Sequence, residues 1–314
     1  MDNFFHVIRA GVNTTFQDRG RQNLNHIGIP ISGAMDHRNF LLANKLTGND
    51  LNNPVLEFAY QGPHLKYYGR KINIAITGDV NFKIKKDNKE IDGNCYETYE
   101  IDNDDEIDIL STNRSVYGYV SINGKFDVTY QWDSCSVNTK SLIGANKGKK
   151  LEKNQKIKTM MINNQIYKKK IKYTNTKIEK IRFIRGTNFD YFSNVAIKNF
   201  SENIFTVSKL SDRMGMRLNG PILENIKDNN IKSEGIVKGV VQVPGNGSPI
   251  IMLSDHGTVG GYPKLAVIIS ADHDRLAQSP PGTSIKFQEV NLSDAETLYK
   301  MYAMETQNLL HQLQ

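Results

Sequence analysis

The chain has few of the residues that carry disulfide or metal chemistry. Its 314 residues include two cysteines, Cys95 and Cys135, which lie far apart and in no CxxC spacing. This spacing argues against a disulfide framework and against a zinc site. The seven histidines form no HExxH motif or paired-ligand pattern, so we predict no metal ion in the site. A Walker motif is also absent, which excludes a nucleotide site of the P-loop kind.

Long hydrophobic runs are missing as well. No apolar stretch of the sequence approaches the length that is needed to cross a bilayer. The N-terminal residues lack the basic region and the apolar core of a signal peptide. These two absences predict a soluble protein of the cytoplasm.

Excess positive charge is confined to one segment. The formal net charge is +7, but residues 147–180 hold twelve lysines and two glutamates, a local net charge of 12 − 2 = +10, which leaves 7 − 10 = −3 elsewhere. Nucleic-acid-binding proteins carry their basic residues as a patch or stripe on the fold, so this distribution disfavours a nucleic-acid partner. We interpret residues 147–180 as a solvated linker and hairpin region. A surface for an acidic partner is the alternative.

The chain does contain many short apolar runs rich in β-branched residues. These runs recur at a spacing of roughly ten residues with turn-forming residues between them, a pattern typical of a barrel or sandwich. Asp36 is placed to begin one of the few helices. We therefore predict a mainly β protein with a few short helices. The expected segments are an N-terminal β domain over 1–146, the lysine-rich linker over 147–180, a C-terminal β domain over 181–290 and a C-terminal helix over 291–314.

Residues 233–282 bring together the polar groups that a binding site needs. Turn clusters between short apolar runs hold the candidate ligand-binding residues Glu234, Gln242, Thr258, Gly260, Gly261 and Tyr262. Adjacent glycines let a backbone approach a ligand closely and can form a nest for an anion. Asp255, His256 and Lys264 are the candidate catalytic residues, because an acid beside a histidine supplies acid–base capacity and a lysine can meet an oxyanion. For His256 the alternative is a hydrogen-bonded turn residue.

A second cluster precedes this segment. Ser211, Asp212, Arg213 and Arg217 place one acid and two arginines within seven residues. If the turn is helical, the two arginines share a face and can hold an acidic substrate or a phosphate. The alternative is structural pairing of the arginines with Asp212 and Glu234.

The first half carries a related pattern. Gln17, Asp18 and Arg21 follow a predicted strand, and the arginine fork matches a carboxylate or phosphate. Ser32 and Gly33 lie just before the predicted helix, where backbone N–H groups favour an anion. An Asp–Arg ion pair that fixes a loop explains the first group equally well. Helix capping by Asp36 explains the second without a ligand.

Four stretches of the chain together resemble the family of the C-type subunit of 5-oxoprolinase, also called KipA or allophanate hydrolase subunit 2. They cover residues 14–21, 29–36, 211–218 and 233–282, and the resemblance extends from about residue 8 to residue 290. A similar biotin-dependent carboxyltransferase-like module forms part of urea amidolyase. The resemblance implies two cyclophilin-like β-barrels, one in each half.

The resemblance implies a multi-subunit enzyme. Its relatives take part in an ATP-dependent 5-oxoprolinase, which opens the lactam of 5-oxo-L-proline to L-glutamate with ATP as co-substrate. The implied partners are a B-type, KipI-like protein and an A-type protein of the LamB/YcsF-like kind. Two alternatives stay open. One is carboxyl transfer from biotin carried by another chain, and the other is a non-catalytic KipA-type antagonist of a kinase inhibitor.

One stretch departs from the family pattern. Relatives carry a Gly-Ser-Arg-Ser-Thr-like run where this chain has residues 132–136, Trp-Asp-Ser-Cys-Ser, without the arginine. The departure leaves ligand binding by the first half open and favours the second half.

Overall fold

The computed structural model describes residues 3–87, 89–160, 168–173, 180–227 and 230–313. Two compact units divide the chain. The first contains Met1–Arg21, Ser32–Thr174 and Thr306–Gln314, and the second contains Gln22–Ile31 and Asn175–Glu305. The described part of the chain contains no helix long and apolar enough to cross a membrane, and no group of three acidic, histidine or cysteine side chains arranged to hold a metal ion.

The first unit is built on two antiparallel sheets and one helix. Its described strands are β1 (Phe4–Arg9), β2 (Thr15–Gln17), β3 (Val55–Ala59), β4 (His64–Tyr68), β5 (Ile72–Thr77), β6 (Val80–Lys86), β7 (Lys89–Asp92), β8 (Thr98–Ile101), β9 (Glu106–Thr112), β10 (Tyr117–Ile122), β11 (Lys125–Phe126) and β12 (Lys156–Met160). Helix α1 (His37–Leu46) begins after Asp36, whose carboxylate accepts a hydrogen bond from the Asn39 amide at 3.0 Å. The predicted helix cap is therefore confirmed.

Both sheets of the first unit bury apolar residues in one core. The seven-stranded sheet has the order β11-β12-β1-β4-β9-β6-β7, and the five-stranded sheet has the order β2-β3-β10-β5-β8. Alternate residues of β1, such as Phe5 and Val7, pack with residues of β3, β5 and β10. Buried and less buried residues alternate along β1 of the larger sheet, so one face of that sheet packs into the core. In the smaller sheet, all residues of β10 are buried.

The second unit contains a closed barrel. Its described strands are β13 (Lys180–Arg185), β14 (Phe205–Val207), β15 (Gly215–Asn219), β16 (Glu234–Gly235), β17 (Val240–Gln242), β18 (Ile250–Met252), β19 (Val259–Gly260), β20 (Lys264–Ile268) and β21 (Ser284–Glu289). The barrel order is β13-β20-β17-β18-β15-β14-β21, and β16 pairs with β19 as a separate ribbon. The predicted mainly β class is confirmed, with a closed barrel in this half.

Helices supply part of the packing around the barrel. They are α2 (Asn194–Glu202), α3 (His273–Ala277) and α4 (Leu292–His311). Phe200 of α2 stacks on Phe287 with ring centroids 4.3 Å apart, and it meets Phe183 and Phe205 edge-on. Each such aromatic pair adds about 1 kcal/mol to the burial of its rings. This aromatic cluster ties α2 to β13, β14 and β21.

The expected lysine-rich linker has a different structure. Residues 161–167 and 174–179 of this segment lie outside the described residues. The described part contributes β12, which pairs with β1, so it belongs to the first unit. The bounds of the compact units thus differ from 1–146 and 181–290, because β12 completes a sheet whose other strands come earlier in the chain. The helix expected over 291–314 is present as α4.

Acidification is expected to destabilise the second unit through His273. Burial is the largest cause that lowers the pKa of this side chain to about 4, and the nearby charge of Lys238 lowers it further. An unfolded chain binds the proton near pH 6.5, so between pH 6.5 and 4 the unfolded state holds more protons. Stability is therefore full above pH 6.5 and falls by up to about 3 kcal/mol as the pH drops through this window.

Urea unfolding at pH 7.5 and pH 4.5 checks this expectation. The matched variant is His273→Gln, which keeps a donor for the Ile268 carbonyl oxygen that lies 3.1 Å from His273 Nε2. The variant is expected to lose less stability on acidification than the wild type. An equal loss in both proteins contradicts the assignment.

Candidate functional site

Arg213 and Asp255 form a buried ion pair at one end of the barrel. Arg213 Nε lies 2.8 Å from Asp255 Oδ2, and Arg213 Nη2 lies 3.1 Å from Asp255 Oδ1. Both side chains are buried, with 7% and 4% of their surfaces exposed. A bidentate pair of this kind fixes both groups in one orientation. The predicted arginine and the predicted acid thus bind each other.

Strand pairing explains how these two residues meet. Arg213 lies just before β15 and Asp255 lies just after β18, and Gly215 is the antiparallel partner of Met252. The start of one strand therefore lies beside the end of the other. A backbone hydrogen bond from the Asp255 amide to the Arg213 carbonyl, 2.9 Å long, completes the contact.

His256 is buried beside this pair. Its Nδ1 atom lies 2.6 Å from the Gly257 carbonyl oxygen, so Nδ1 carries the proton. Its Nε2 atom is buried and has no hydrogen-bond partner among the described residues. Burial is the main cause that lowers the pKa of His256, and the charge of Lys238 lowers it further. The imidazole is therefore neutral at physiological pH, with Nε2 as a proton acceptor.

Lys264 forms a second ion pair. Its ammonium Nζ lies 2.7 Å from Glu234 Oε2. The lysine side chain is 5% exposed, whereas the glutamate side chain is 49% exposed. Lys264 is the first residue of β20, so the strand holds it in the barrel wall, while Glu234 reaches it from the β16–β19 ribbon.

Four other predicted residues surround the Lys264–Glu234 pair. Gln242 is the strand partner of Lys264, and its amide Nε2 donates to the Tyr262 carbonyl at 3.3 Å. Gly260 pairs with Glu234, and a side chain at Gly260 would lie 2.7 Å from Gln242 Nε2. At Gly261 an added carbon would lie 3.0 Å from the Ile231 carbonyl oxygen. The glycine pair therefore permits close packing against protein neighbours, whereas the sequence predicted a close approach to a ligand, which stays a prediction.

Thr258 links this group to the ribbon. Its carbonyl accepts a hydrogen bond from the Ile236 amide at 3.0 Å, and its side chain is buried. The Tyr262 ring is 41% exposed. The structure thus brings Glu234, Gln242, Gly260, Tyr262 and Lys264 into one neighbourhood. Asp255 and His256 follow β18 at the end of the sheet where β17 begins, whereas Lys264 pairs with Gln242, the last residue of β17.

The remaining residues of the 211–217 cluster do not share a face with Arg213. Residues Gly215–Asn219 form strand β15 instead of a helical turn, and Arg217 is exposed on it. Asp212 Oδ1 caps the loop by accepting from the Met214 and Gly215 amides at 2.8 and 3.2 Å. Ser211 Oγ accepts from the Arg217 amide at 3.1 Å. The helical arrangement was wrong because strand pairing overrides the four-residue spacing.

Asp18 is the centre of the predicted site in the first unit. Its buried carboxylate accepts hydrogen bonds from the hydroxyls of Ser134 and Ser136, each at 2.6 Å, and from the amides of Cys135 and Gly20 at 2.7 and 2.8 Å. Charge-assisted hydrogen bonds of this length are strong. The run that departs from the family pattern therefore binds Asp18. We call this arrangement the Asp18 node.

The neighbours of the Asp18 node also make structural contacts. Arg21 Nη2 donates to the Ser136 carbonyl at 2.7 Å, and Gln17 Nε2 donates to the Val137 carbonyl at 2.9 Å. Ser32 has a left-handed φ of 57° and accepts from Asn138 Nδ2 at 3.3 Å. Gly33 has a φ of 82°, and an added carbon there would lie 2.9 Å from the Arg19 backbone. Only glycine fits that position without strain.

Glu57 is a buried acid that the sequence reasoning missed. Its Oε2 atom accepts from the Met35 amide at 2.7 Å and from the Tyr119 hydroxyl at 2.8 Å. Burial, followed by the charges of Glu57 and Asp36, raises the pKa of Tyr119 well above its ordinary value. The signal in the sequence was a lone glutamate within the apolar strand Val55–Ala59.

Closed barrels with polar loops at one end are typical of ligand-binding β domains. The chain belongs to the family described as the carboxyltransferase domain, subdomain A and B, whose model matches residues 27–289. It is 32% identical to the C-type subunit of 5-oxoprolinase from Haemophilus influenzae, over 93% of each chain. Its identity to the same protein of Escherichia coli is 31%, over 92% of each chain.

A solved structure shares the fold along nearly the whole chain. The crystal structure of the Kluyveromyces lactis urea amidolyase superposes with a TM-score of 0.87 at 25% identity. The match covers 98% of this chain but 20% of the amidolyase chain. This chain therefore corresponds to one part of that larger protein.

Proposed function

We propose that this chain is the C-type subunit of an ATP-dependent 5-oxoprolinase of the cytoplasm. The enzyme opens the lactam of 5-oxo-L-proline to L-glutamate, with ATP as the co-substrate of the complex. The observation that carries the proposal is the similarity to two 5-oxoprolinase subunits of this type over more than nine-tenths of both chains. A B-type, KipI-like protein and an A-type, LamB/YcsF-like protein complete the complex, so this chain has no turnover alone.

The chemistry of lactam opening matches the residues around Lys264. A lactam carbonyl is a poor electrophile, so the reaction needs donors that stabilise the oxyanion as it develops. The Lys264 ammonium is held in the barrel wall, and its partner Glu234 is half exposed. An anionic ligand can displace the Glu234 carboxylate and take its place beside Lys264. The Gly260–Gly261 backbone packs closely against its neighbours next to this pair, because an added carbon at Gly260 would meet Ile236 and Gln242.

His256 is the better proton acceptor of the two candidates. Both Asp255 oxygens accept hydrogen bonds from Arg213, which holds the carboxylate in a positioning role. His256 keeps a neutral imidazole, and its buried Nε2 has no hydrogen-bond partner among the described residues. We assign the role of general base to His256 and the role of orienting its loop to the Arg213–Asp255 pair.

Carboxyl transfer is the second candidate function. The TM-score of 0.87 to urea amidolyase over 98% of this chain favours it. In this alternative, biotin on another protein brings a carboxyl group to an amide or urea nitrogen, and Lys264 stabilises the carboxylate. The end-to-end similarity to the C-type subunit of 5-oxoprolinase gives the first function the stronger support.

Replacing Lys264 by alanine is expected to lower kcat/KM of the reconstituted complex for 5-oxoproline by about a hundredfold, the usual cost of removing one oxyanion donor. Lys264→Arg keeps the charge and is expected to lose less. Lys286→Ala removes an exposed lysine of the same unit and serves as the matched control. Glutamate release and ADP release are measured together, with the single chain as the blank.

The assay separates the candidates. If the Lys264→Ala variant assembles with its partners and keeps wild-type kcat/KM, the barrel site is not the reacting site. If the complex consumes ATP with urea, bicarbonate and a biotinylated carrier but not with 5-oxoproline, the carboxyl-transfer function replaces the first.

A further inference from the structure

A groove in the first unit collects exposed lysines. Its volume is about 740 Å³, and two acidic residues, Asp127 and Glu152, lie in its wall. The basic residues of the wall are Lys147, Lys149, Lys153, Lys156 and Lys158. All five lysines are exposed. We call this feature the lysine groove.

The lysine groove differs from the rest of the unit in its charge balance. None of its five lysines forms an ion pair within the described ranges. On β4 and β6, by contrast, Lys66 pairs with Asp104, Lys85 approaches Glu106, and Lys86 approaches Asp105. Those three lysines line a separate groove of about 500 Å³. Among the described residues, the unit thus neutralises one set of lysines and leaves the other set without acidic partners.

The loop that presents the lysines is held in place. Asn146 Nδ2 donates to the carbonyls of Lys149 and Lys150 at 3.1 and 3.0 Å, and Asn146 Oδ1 accepts from Gln155 Nε2 at 2.9 Å. Asn146 and Lys147 both have left-handed φ values, 53° and 56°. Such conformations cost about 1 kcal/mol or more each and persist where the surroundings enforce them. The lysines are therefore presented by an ordered, strained turn.

Strand β12 supplies the other wall. Lys156 and Lys158 point outward, while Ile157 and Thr159 point into the core. The Lys156 ammonium lies 4.9 Å from the centre of the Phe4 ring, a cation–π contact that limits its motion. Val128 adds partly exposed apolar surface to the groove, whereas Phe16 and Ile157 are each 3% exposed and belong to the core. A ligand of this groove needs negative charge, and Val128 gives it one apolar contact.

We infer that the lysine groove docks an acidic segment of the KipI-like companion protein in the complex. Charge complementarity sets the partner's chemistry, because five lysines without acidic partners in the described chain attract carboxylates and speed association. A protein segment also supplies apolar side chains that can contact the partly exposed Val128. A nucleic acid fits less well, since residues outside 147–180 carry a net charge of −3 and extend no basic track. The inference rests on the proposed function, which supplies the companion.

The test compares two triple variants of equal charge. Lys149→Gln, Lys156→Gln and Lys158→Gln neutralise the lysine groove, and Lys66→Gln, Lys85→Gln and Lys86→Gln neutralise the paired lysines. Affinity for the purified KipI-like companion is measured by calorimetry at 50 mM and 300 mM salt. The groove variant is expected to bind at least tenfold more weakly at low salt, with a smaller difference at high salt. The control variant is expected to stay within twofold of wild type.

The outcomes distinguish this inference from the proposed function. Equal binding by the groove variant and the wild type overturns the inference and leaves the enzyme assignment intact. Absence of binding by the wild type overturns both. A single-stranded DNA oligonucleotide is the competing probe. If the groove variant loses DNA binding but keeps the companion, the groove is a nucleic-acid site and the inference fails.

Discussion

Replacing Arg213 by alanine is expected to destabilise the second unit by about 3–5 kcal/mol, because the change leaves Asp255 as a buried charge without its bidentate partner. The same reasoning applies to Asp255→Ala, which removes the carboxylate partner of the buried Arg213 guanidinium. The double change Arg213→Met with Asp255→Leu removes both charges and keeps apolar volume. The double variant is expected to lose far less unfolding free energy than the two single variants together. The attraction within a buried ion pair is largely offset by the free energy needed to desolvate its two charges.

Amide hydrogen exchange in β15 and β18 measures this effect directly, because these strands flank the pair. It also avoids treating two compact units as one unfolding transition. Arg217→Ala is the matched control, as Arg217 is an exposed arginine on the same strand. Its cost is expected to lie within about 0.5 kcal/mol. Additive costs in the double variant would show that the two charges do not depend on each other.

Asp18→Ala is expected to cost the first unit about 3–5 kcal/mol of stability. The change leaves two hydroxyls and two backbone amides without their buried acceptor, and each such group costs about 1 kcal/mol or more. Asp18→Asn keeps the shape of the side chain but loses charge and one acceptor, so its cost is expected to be smaller. Ser134→Ala removes one donor and is expected to cost about 1 kcal/mol.

Trp132 makes the Asp18 measurement simple. It is the single tryptophan of the chain, it lies two residues from Ser134, and its ring is half exposed. Its emission therefore follows urea unfolding of the first unit alone. If the urea concentration at half-unfolding is the same for Asp18→Ala and the wild type, the loop of residues 134–136 does not need the carboxylate for its stability.

The residues that form the two ion pairs of the second unit were named from the sequence, but their pairing was not predicted. Arg213, Asp255, Glu234 and Lys264 were all identified from residue type and turn context. The sequence predicted that Arg213 binds an anionic ligand, with pairing to Asp212 and Glu234 as the alternative, whereas the barrel pairs it with Asp255. That choice depends on the order of strands β15 and β18, which local periodicity does not encode.

Long-range partners explain the other gaps. The hydroxyls that bind Asp18 lie more than a hundred residues further along the chain, in a stretch that seemed only to lack an arginine. Likewise, the lysine-rich segment was expected to be a linker on composition, yet the backbone of residues 156–158 pairs with β1. Short-range signals such as the Asp36 helix cap were reliable because they involve neighbours in sequence.

The parallel pairing of β13 with β21 affects how the protein is made. β13 is the first strand of the barrel along the chain and β21 is the last. One edge of β14 also forms its hydrogen bonds with β21. A ribosome releases β13 and β14 long before β21, so both wait with unpaired backbone groups facing solvent. Exposed edges of this kind recruit other chains, and distant pairings form slowly. Chains that stop before Ser284 are therefore expected to depend on chaperones, and slow synthesis prolongs the period when a nascent second unit can aggregate.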